Sequence, residues 1–375
     1  MYIIYILDLA ALLFLLGLLF GSSSLDKQRK MPFSISIILT VIVILSEVIT
    51  VLSDSGNINL RSVNILFNVL GFALTPVIPI AIISIFGKGI FKKYKLLLIP
   101  TLINVFAAVL SPLFGFIFYV DAQNNYVRGN YFFIFIIVYL INLLLLVVRT
   151  LDWGRKYNYP IMWKMLGLSV FIMVGTSIQL VNPLLYVSWH CVTLALFLYF
   201  ILISEFDSSI DSLTGLYNRA SFDQVAKQMM KSKGFSVIVL DIDHFKSFND
   251  KYGHDYGDRV IETVAAIIRK SFTKKFTCYR FGGDEFSIIG SETDQEKIEA
   301  QLKTMTDSLT EMREQGKLLP TISYGFSIFL GKEKSDFNKM LKEADEHMYE
   351  FKKIRKDQAA QASTDPLSNE VHSES

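Results

Sequence analysis

Cysteine is almost missing from this chain. Two occur in 375 residues, Cys191 and Cys278, which excludes the disulfide framework of a small secreted scaffold. Charge is missing from one half only. Residues 1–204 carry 13 Lys+Arg against 6 Asp+Glu, a net of +7, whereas residues 205–375 carry 24 against 29, a net of −5. A soluble domain is typically about a quarter charged, so only the second part has a soluble composition. Being net acidic, that part lacks the cationic footprint that neutralising phosphates requires, which excludes nucleic acid as its partner. The first apolar run has no basic residues before it and carries Asp8 inside it, so it reads as a retained helix rather than a cleaved signal.

What residues 1–204 do contain is apolar length. A bilayer core takes about 20 apolar residues per helix, and seven such stretches are expected, near 2–20, 33–52, 64–86, 96–119, 131–149, 161–181 and 184–204. Pro76, Pro79, Pro100 and Pro112 lie within them and mark possible kinks, which membrane bundles tolerate. Lys and Arg collect in alternate loops. Lys27, Arg29 and Lys30 follow the first stretch, Lys88, Lys92, Lys93 and Lys95 the third, and Arg149, Arg155 and Lys156 the fifth; the second and fourth loops hold only Arg61 and Arg128. The positive-inside rule then places the N-terminus outside and everything after Ser204 in the cytoplasm. The lipid bilayer is thus the first expected partner, and the expected location is a cell membrane, crossed several times. Asp8, Glu47 and His190 fall at one level of their helices. They would either line an outward-opening pocket or serve as separate interhelical hydrogen-bonding groups.

From Glu205 onward the pattern is that of an α/β domain with a mixed sheet and helices packed on it. Phe235 to Ile242 reads as a buried strand, Gly257 to Ser271 as an amphipathic helix, Thr277 to Ile289 as two strands around Gly282-Gly283, Thr321 to Phe329 as another strand, and Asp336 to Lys353 as a closing helix. The Gly-Gly pair is a two-residue hairpin signal. The expected organisation is a seven-helix sensor region at 1–204, a short linker at 205–210, the α/β domain at 211–357 and a disordered tail at 358–375.

Carboxylates punctuate the sheet. A strand ending in Asp241-Ile242-Asp243 and a hairpin tip carrying Asp284-Glu285 would, if the strands are neighbours, gather three or four acids at one edge. Divalent cations relieve the repulsion, and Mg²⁺ is usually held by one or two carboxylates together with substrate phosphates. Lys246 and Lys352 offer point charges for a polyphosphate. Against this, an Asp-x-Asp at a strand end can be a turn or cap, Asn249 and Asp258 can be helix caps, and Arg280 can be a scaffold residue paired with an acid.

Arg280 to Phe286, RFGGDEF, resembles the signature loop of the GGDEF family, the diguanylate cyclases. Three further stretches resemble the family in order: DSLTGLYNR at 211–219, DIDHFKSFNDKYGHDYGD at 241–258, and TISYG at 321–325 before a helix with Ala344-Asp345-Glu346. The resemblance covers about 211–357 and implies the nucleotidyl-cyclase, palm-like fold. It also implies a reaction, the condensation of two GTP to cyclic di-3′,5′-GMP with release of two pyrophosphates, each GTP held by one domain of a homodimer. By the same resemblance Asp241, the Ile242 carbonyl and Asp284 are the ligands of two Mg²⁺ ions, for which Mn²⁺ can substitute. Asp284 is also the proposed base for the 3′-hydroxyl, with Glu285 assisting the metals and Lys246 stabilising charge on the phosphates. Asn249, His254 and Asp258 correspond to the nucleoside-binding set, and an Asp can accept from guanine N1–H and N2–H. Lys352 and Lys356 correspond to the phosphate clamp.

Two departures stand out. The Arg-x-x-Asp that forms a product-inhibition site in many members is replaced by Thr273 and Phe276, so feedback of that form is expected to be absent. The closing helix carries Lys356 where an Arg is usual, which keeps the charge without the bidentate fork. The alternative from another class is a catalytically silent receptor that binds GTP or a cyclic dinucleotide. The signal received by residues 1–204 is not encoded in any motif.

Overall fold

The structure is a computed structural model that describes residues 2–54, 58–86, 95–157, 162–181, 187–229, 234–272, 275–331 and 336–364. The chain divides into two compact units, Met1–Ser208 and Ser209–Ser375.

The first unit is built of apolar helices: α1 Tyr2–Gly21, α2 Lys27–Ser53, α3 Arg61–Leu74, α4 Val77–Ser84, α5 Ile99–Phe114, α6 Phe132–Tyr157, α7 Met162–Val181 and α8 Ser188–Ser209. Four helices among the described residues are long and apolar enough to cross a membrane, five if α3 and α4 count as one bent span. Large apolar side chains such as Phe14, Phe20, Phe106 and Leu113 stand exposed on them, the surface a bilayer would cover.

Three of the seven expected stretches depart from a simple span. The third is broken at Thr75-Pro76 and bends by 43°, because Pro76 has no N–H to continue the ladder. The fourth stops at Phe114, with Gly115 as a left-handed C-cap at φ 65°; beyond it Phe118–Val120 (β1) pairs antiparallel with Tyr126–Arg128 (β2) instead of extending the helix. The sixth has an apolar core of only Trp163–Ile178 among the described residues. The boundary around Asn182-Pro183 lies outside the described residues.

Polar contacts pin the ends of this unit. Near the start of α2, Asp207 accepts the Asp26 N–H at 2.9 Å and pairs with Arg29 at 3.2 Å. Beyond its other end, Arg61 donates to the carbonyls of Val120 and Asp121, and Asn124 donates to the Ser53 carbonyl at 2.7 Å. Residues 205–209, expected to be linker, are the last turns of α8, since Glu205, Phe206 and Asp207 continue the helix without a breaker.

The second unit holds α9 Arg219–Met229, β3 Phe235–Ile242, α10 Phe245–Tyr252, α11 His254–Ser271, β4 Phe276–Arg280, β5 Glu285–Gly290, α12 Gln295–Glu314, β6 Ile322–Phe329 and α13 Phe337–Thr364. The sheet order is β4-β5-β3-β6, with every named pair antiparallel. An isolated Tyr217↔Tyr279 bridge adds the parallel component that makes the sheet mixed. β3 is central and buried almost throughout.

α11 buries Val260, Ile261, Val264, Ala265 and Ile268, one stripe at helical spacing, against Ile238, Leu240, Phe286 and Ile288 of the sheet. On β6, Gly325 lets α13 approach closely: a Cβ there would lie 2.2 Å from the Ala344 carbonyl oxygen and 2.3 Å from the Met348 nitrogen. The tail expected to be disordered from Gln358 is instead helical through Thr364, because Gln358-Ala-Ala-Gln-Ala362 is a run of good helix formers.

Candidate active site

The site is the edge where β3 ends and β5 begins. Asp241 is the register partner of Glu285, and the Ile242 N–H donates to the Asp284 carbonyl at 3.2 Å. The strand terminus and the loop tip are therefore joined through their backbones. The connection is not a two-residue hairpin; Phe281 to Asp284 form a four-residue loop, in which Phe281 and Gly282 N–H both donate to the Glu285 carbonyl. Neither Gly282 nor Gly283 has a positive φ, and a Cβ on Gly283 would meet nothing within 4 Å. Packing therefore does not require glycine at 283.

Arg280 splints this loop. Its guanidinium donates to the carbonyls of Gly282 (3.1 Å) and Gly283 (2.9 Å) and pairs with Asp211 at 3.1 Å. Asp211 in turn accepts from the Thr214 N–H and hydroxyl, and these contacts hold its carboxyl below the usual range despite partial burial. The scaffold role suggested for Arg280 is the one the structure gives it. Phe281 packs edge-on to Phe222 and beneath the Arg219 guanidinium, 4.5 Å from its ring centre.

The acids do not all converge. Asp243 is buried, with 8% exposure, and faces β6, where it accepts from the hydroxyls of Thr321 (2.6 Å) and Ser323 (2.7 Å). It is a strut between strands rather than a fourth member of the cluster. The Thr321-x-Ser323 spacing was the sequence signal for this, two hydroxyls on one face of the neighbouring strand. Asp243→Asn should lower stability by about 1–3 kcal/mol, because one hydroxyl then loses its acceptor in a buried place; a thermal melt checks this.

Asp241 pairs with Lys352 at 2.5 Å. Burial raises the Asp284 carboxyl above its ordinary range, and the Asp241 charge raises it further; Glu285 is raised by burial and by both neighbours. An acid raised in the folded state holds its proton longer than the unfolded chain does. The contribution of Asp284 and Glu285 to the stability of the cation-free domain therefore falls as pH rises from the ordinary carboxylate range through the raised one. The Lys352 ammonium is raised, since its bond to Asp241 and the charges of Asp241, Asp243 and Asp284 outweigh burial.

The remaining expected residues divide by location. Asn249 lies inside α10, not at a cap, and its Oδ1 is buried without a hydrogen-bond partner. It sits where a Cβ on Gly257 would be, 1.8 Å away. α11 starts at His254 rather than Gly257, so Asp258 is one turn beyond His254 on the same face and is not a cap. Lys246, His254 and Asp258 are exposed. Lys356 is exposed as well, whereas the neighbouring Arg355, which the sequence did not single out, faces the sheet. Arg355 donates to the Ile322 carbonyl at 2.9 Å and lies 3.9 Å from Asp243.

Of the two residues that replace the Arg-x-x-Asp pair, Phe276 is a buried core residue of β4 and Thr273 lies outside the described residues. The family model described as "Diguanylate cyclase, GGDEF domain" matches residues 208–358. Residues 208–358 are a GGDEF domain.

Diguanylate cyclase VdcA of Vibrio cholerae is 31% identical over 153 residues, 40% of this chain and 45% of that protein. Cyclic di-GMP phosphodiesterase NbdA of Pseudomonas aeruginosa is 35% identical over 126 residues, 32% of this chain and 16% of that protein. This chain thus spans less than half the length of these curated relatives. Among solved structures, the coiled coil and GGDEF domain of DgcB from Caulobacter crescentus in complex with c-di-GMP is 26% identical, covers 42% of this chain and 87% of that chain, and aligns with a TM-score of 0.38.

Proposed function

We propose that this protein is a membrane-anchored diguanylate cyclase that condenses two GTP to cyclic di-3′,5′-GMP, releasing two pyrophosphates. The observation that carries the proposal is the meeting of Asp241 and Asp284 at one backbone-pinned edge, where burial and then the Asp241 charge raise the cost of ionising Asp284. Among the described residues no three His, Cys, Asp or Glu side chains form a metal site. Two carboxylates and the Ile242 carbonyl fit a hard cation whose coordination the triphosphate completes. Divalent Mg²⁺ or Mn²⁺ held by Asp241, Ile242 and Asp284 would supply charge neutralisation at the phosphates.

The chain's own groups do the rest. Asp284 takes the proton of the attacking 3′-hydroxyl. Glu285 adds negative charge beside the ligands, and Lys246 and Lys352 bind phosphate oxygens. Lys352 leaves Asp241 when substrate arrives. Gly283 leaves the loop backbone open to close approach, which accounts for a glycine that packing does not require. Asn249 and Asp258 hold guanine with His254 on the same helix face; the unpartnered Asn249 Oδ1 is an acceptor that the nucleoside's donors satisfy. Each domain holds one GTP, so the reaction requires a homodimer.

The apolar helices anchor the chain, with the N-terminus outside and the GGDEF domain in the cytoplasm, and residues 1–204 control it in response to a signal. Wild-type protein should melt at a higher temperature when Mg²⁺ and a GTP analogue are added, and Asp284→Asn should lose that increment; a thermal melt at fixed pH reads both. Cyclic di-GMP at concentrations far above its product level should leave the initial rate unchanged within about twofold, because Thr273 and Phe276 replace the inhibitory pair. A rate series at increasing product concentration checks it.

A further inference from the structure

Just after Lys352, α13 carries three more cations, Lys353, Arg355 and Lys356. Lys353 and Lys356 are exposed, whereas Arg355 is half-buried. Arg355 follows Lys352 by three residues, so the two share one face of the helix, about 4.5 Å apart along its axis. Both reach the end of the sheet where the site lies. Lys352 bonds Asp241, and Arg355 donates to the carbonyl of Ile322, which is the register partner of Ile242.

The Arg355 guanidinium is aimed but little used. Its central carbon lies 5.5 Å from the Phe351 ring centre, and Phe351 packs on Tyr324 of β6 at 4.6 Å, so the ring holds the arm toward the sheet. Of the five N–H donors in the fork, one is committed among the described residues, to the Ile322 carbonyl. Asp243 is 3.9 Å away, beyond hydrogen-bonding reach, and its oxygens already accept from Thr321 and Ser323 at 2.6 and 2.7 Å. Docking of α13 has other supports in Gly325 and the Tyr324–Phe351 contact. The Arg355 side chain is 38% exposed, so a ligand at the edge can reach it.

We infer that Arg355, and not Lys356, is the second cation of α13 that binds the triphosphate, its fork gripping two phosphate oxygens where Lys352 gives a single point charge. A guanidinium matches phosphate through two parallel N–H bonds, which an ammonium cannot do. The fork that position 356 lacks is thus supplied one residue earlier, from the face of α13 that meets β6. The inference rests on the cyclase reading proposed above and names a further substrate-binding residue of that same site.

The test is isothermal titration of a non-hydrolysable GTP analogue, with Mg²⁺ in excess, into the full-length protein in nanodiscs, beside a melt without nucleotide. Arg355→Gln keeps an N–H for the Ile322 carbonyl but loses the charge and the fork. It should bind the analogue about fivefold more weakly or worse, the scale of a lost charge-assisted bond, and melt within about 3 °C of wild type. Lys356→Gln should cost less affinity than Arg355→Gln. A loss below fivefold in Arg355→Gln overturns the inference, as does an equal or larger loss in Lys356→Gln. Should Arg355→Gln melt lower than that, Arg355→Lys decides instead: charge and a donor remain without the fork, and affinity should fall about threefold or more, a smaller loss overturning the inference. Wild type that fails to bind the analogue defeats the cyclase reading itself; wild type that binds it while the Arg355 variants match it defeats this inference alone.

Discussion

Asp284→Asn should reduce cyclic di-GMP formation on the order of a thousandfold or more, the scale on which a positioned general base contributes. Two functions are lost together, since the same carboxylate is the proposed base and one of two side-chain ligands at the edge. Asn keeps the size and the backbone bond from Ile242 to the 284 carbonyl, so the loop geometry persists. Removing a carboxylate that Asp241 repels should leave the cation-free melting temperature equal or slightly higher. Loss of product with unchanged or improved stability separates a chemical role from a structural one. Radiolabelled GTP with product separation, run beside a melt, checks both; a variant within tenfold of wild type would count against the assigned role.

Gly325→Ala should destabilise the GGDEF domain by about 3 kcal/mol, at the upper end of overpacking costs. The added methyl meets backbone atoms of α13, not the flexible end of a side chain, so no rotamer change relieves it. The helix must lift from β6, and Lys352 and Arg355 lie on that helix. A fall of roughly 6–12 °C in melting temperature follows for a domain of this size, together with weaker GTP binding. An unchanged melt would contradict the close α13–β6 packing.

The two predictions draw on different levels of the sequence. The acid-bearing loop and strand end were legible because the β-rich runs and the Gly-Gly pair stand out locally, and the stripe of α11 because its period is helical. Less visible was what depends on partners distant in sequence. Asp243 reads as one acid of a cluster until Thr321 and Ser323, about 80 residues on, draw it to the other side. Arg355 and Lys356 are equivalent as charges in the sequence; only the docking of α13 decides that Arg355 faces the sheet.

In the first unit, hydropathy marks apolar length but not its interruptions. The break at Thr75-Pro76 follows from a proline that could equally have been tolerated, and the end of α5 at Gly115 yields to a hairpin whose pairing no window average records. Glu47 was legible as a costly polar group at depth. Its bond from the Trp189 indole on α8 was not, since that partner lies 142 residues on.

The most direct measurement of the central claim is product formation from labelled GTP by the full-length protein in nanodiscs, with and without Mg²⁺ or Mn²⁺. Cyclic di-GMP and pyrophosphate should accumulate in a ratio of about one to two only when the cation is present, in line with the two-GTP condensation. GTP that binds but remains intact under both cations would contradict the cyclase and leave a nucleotide-binding receptor in its place.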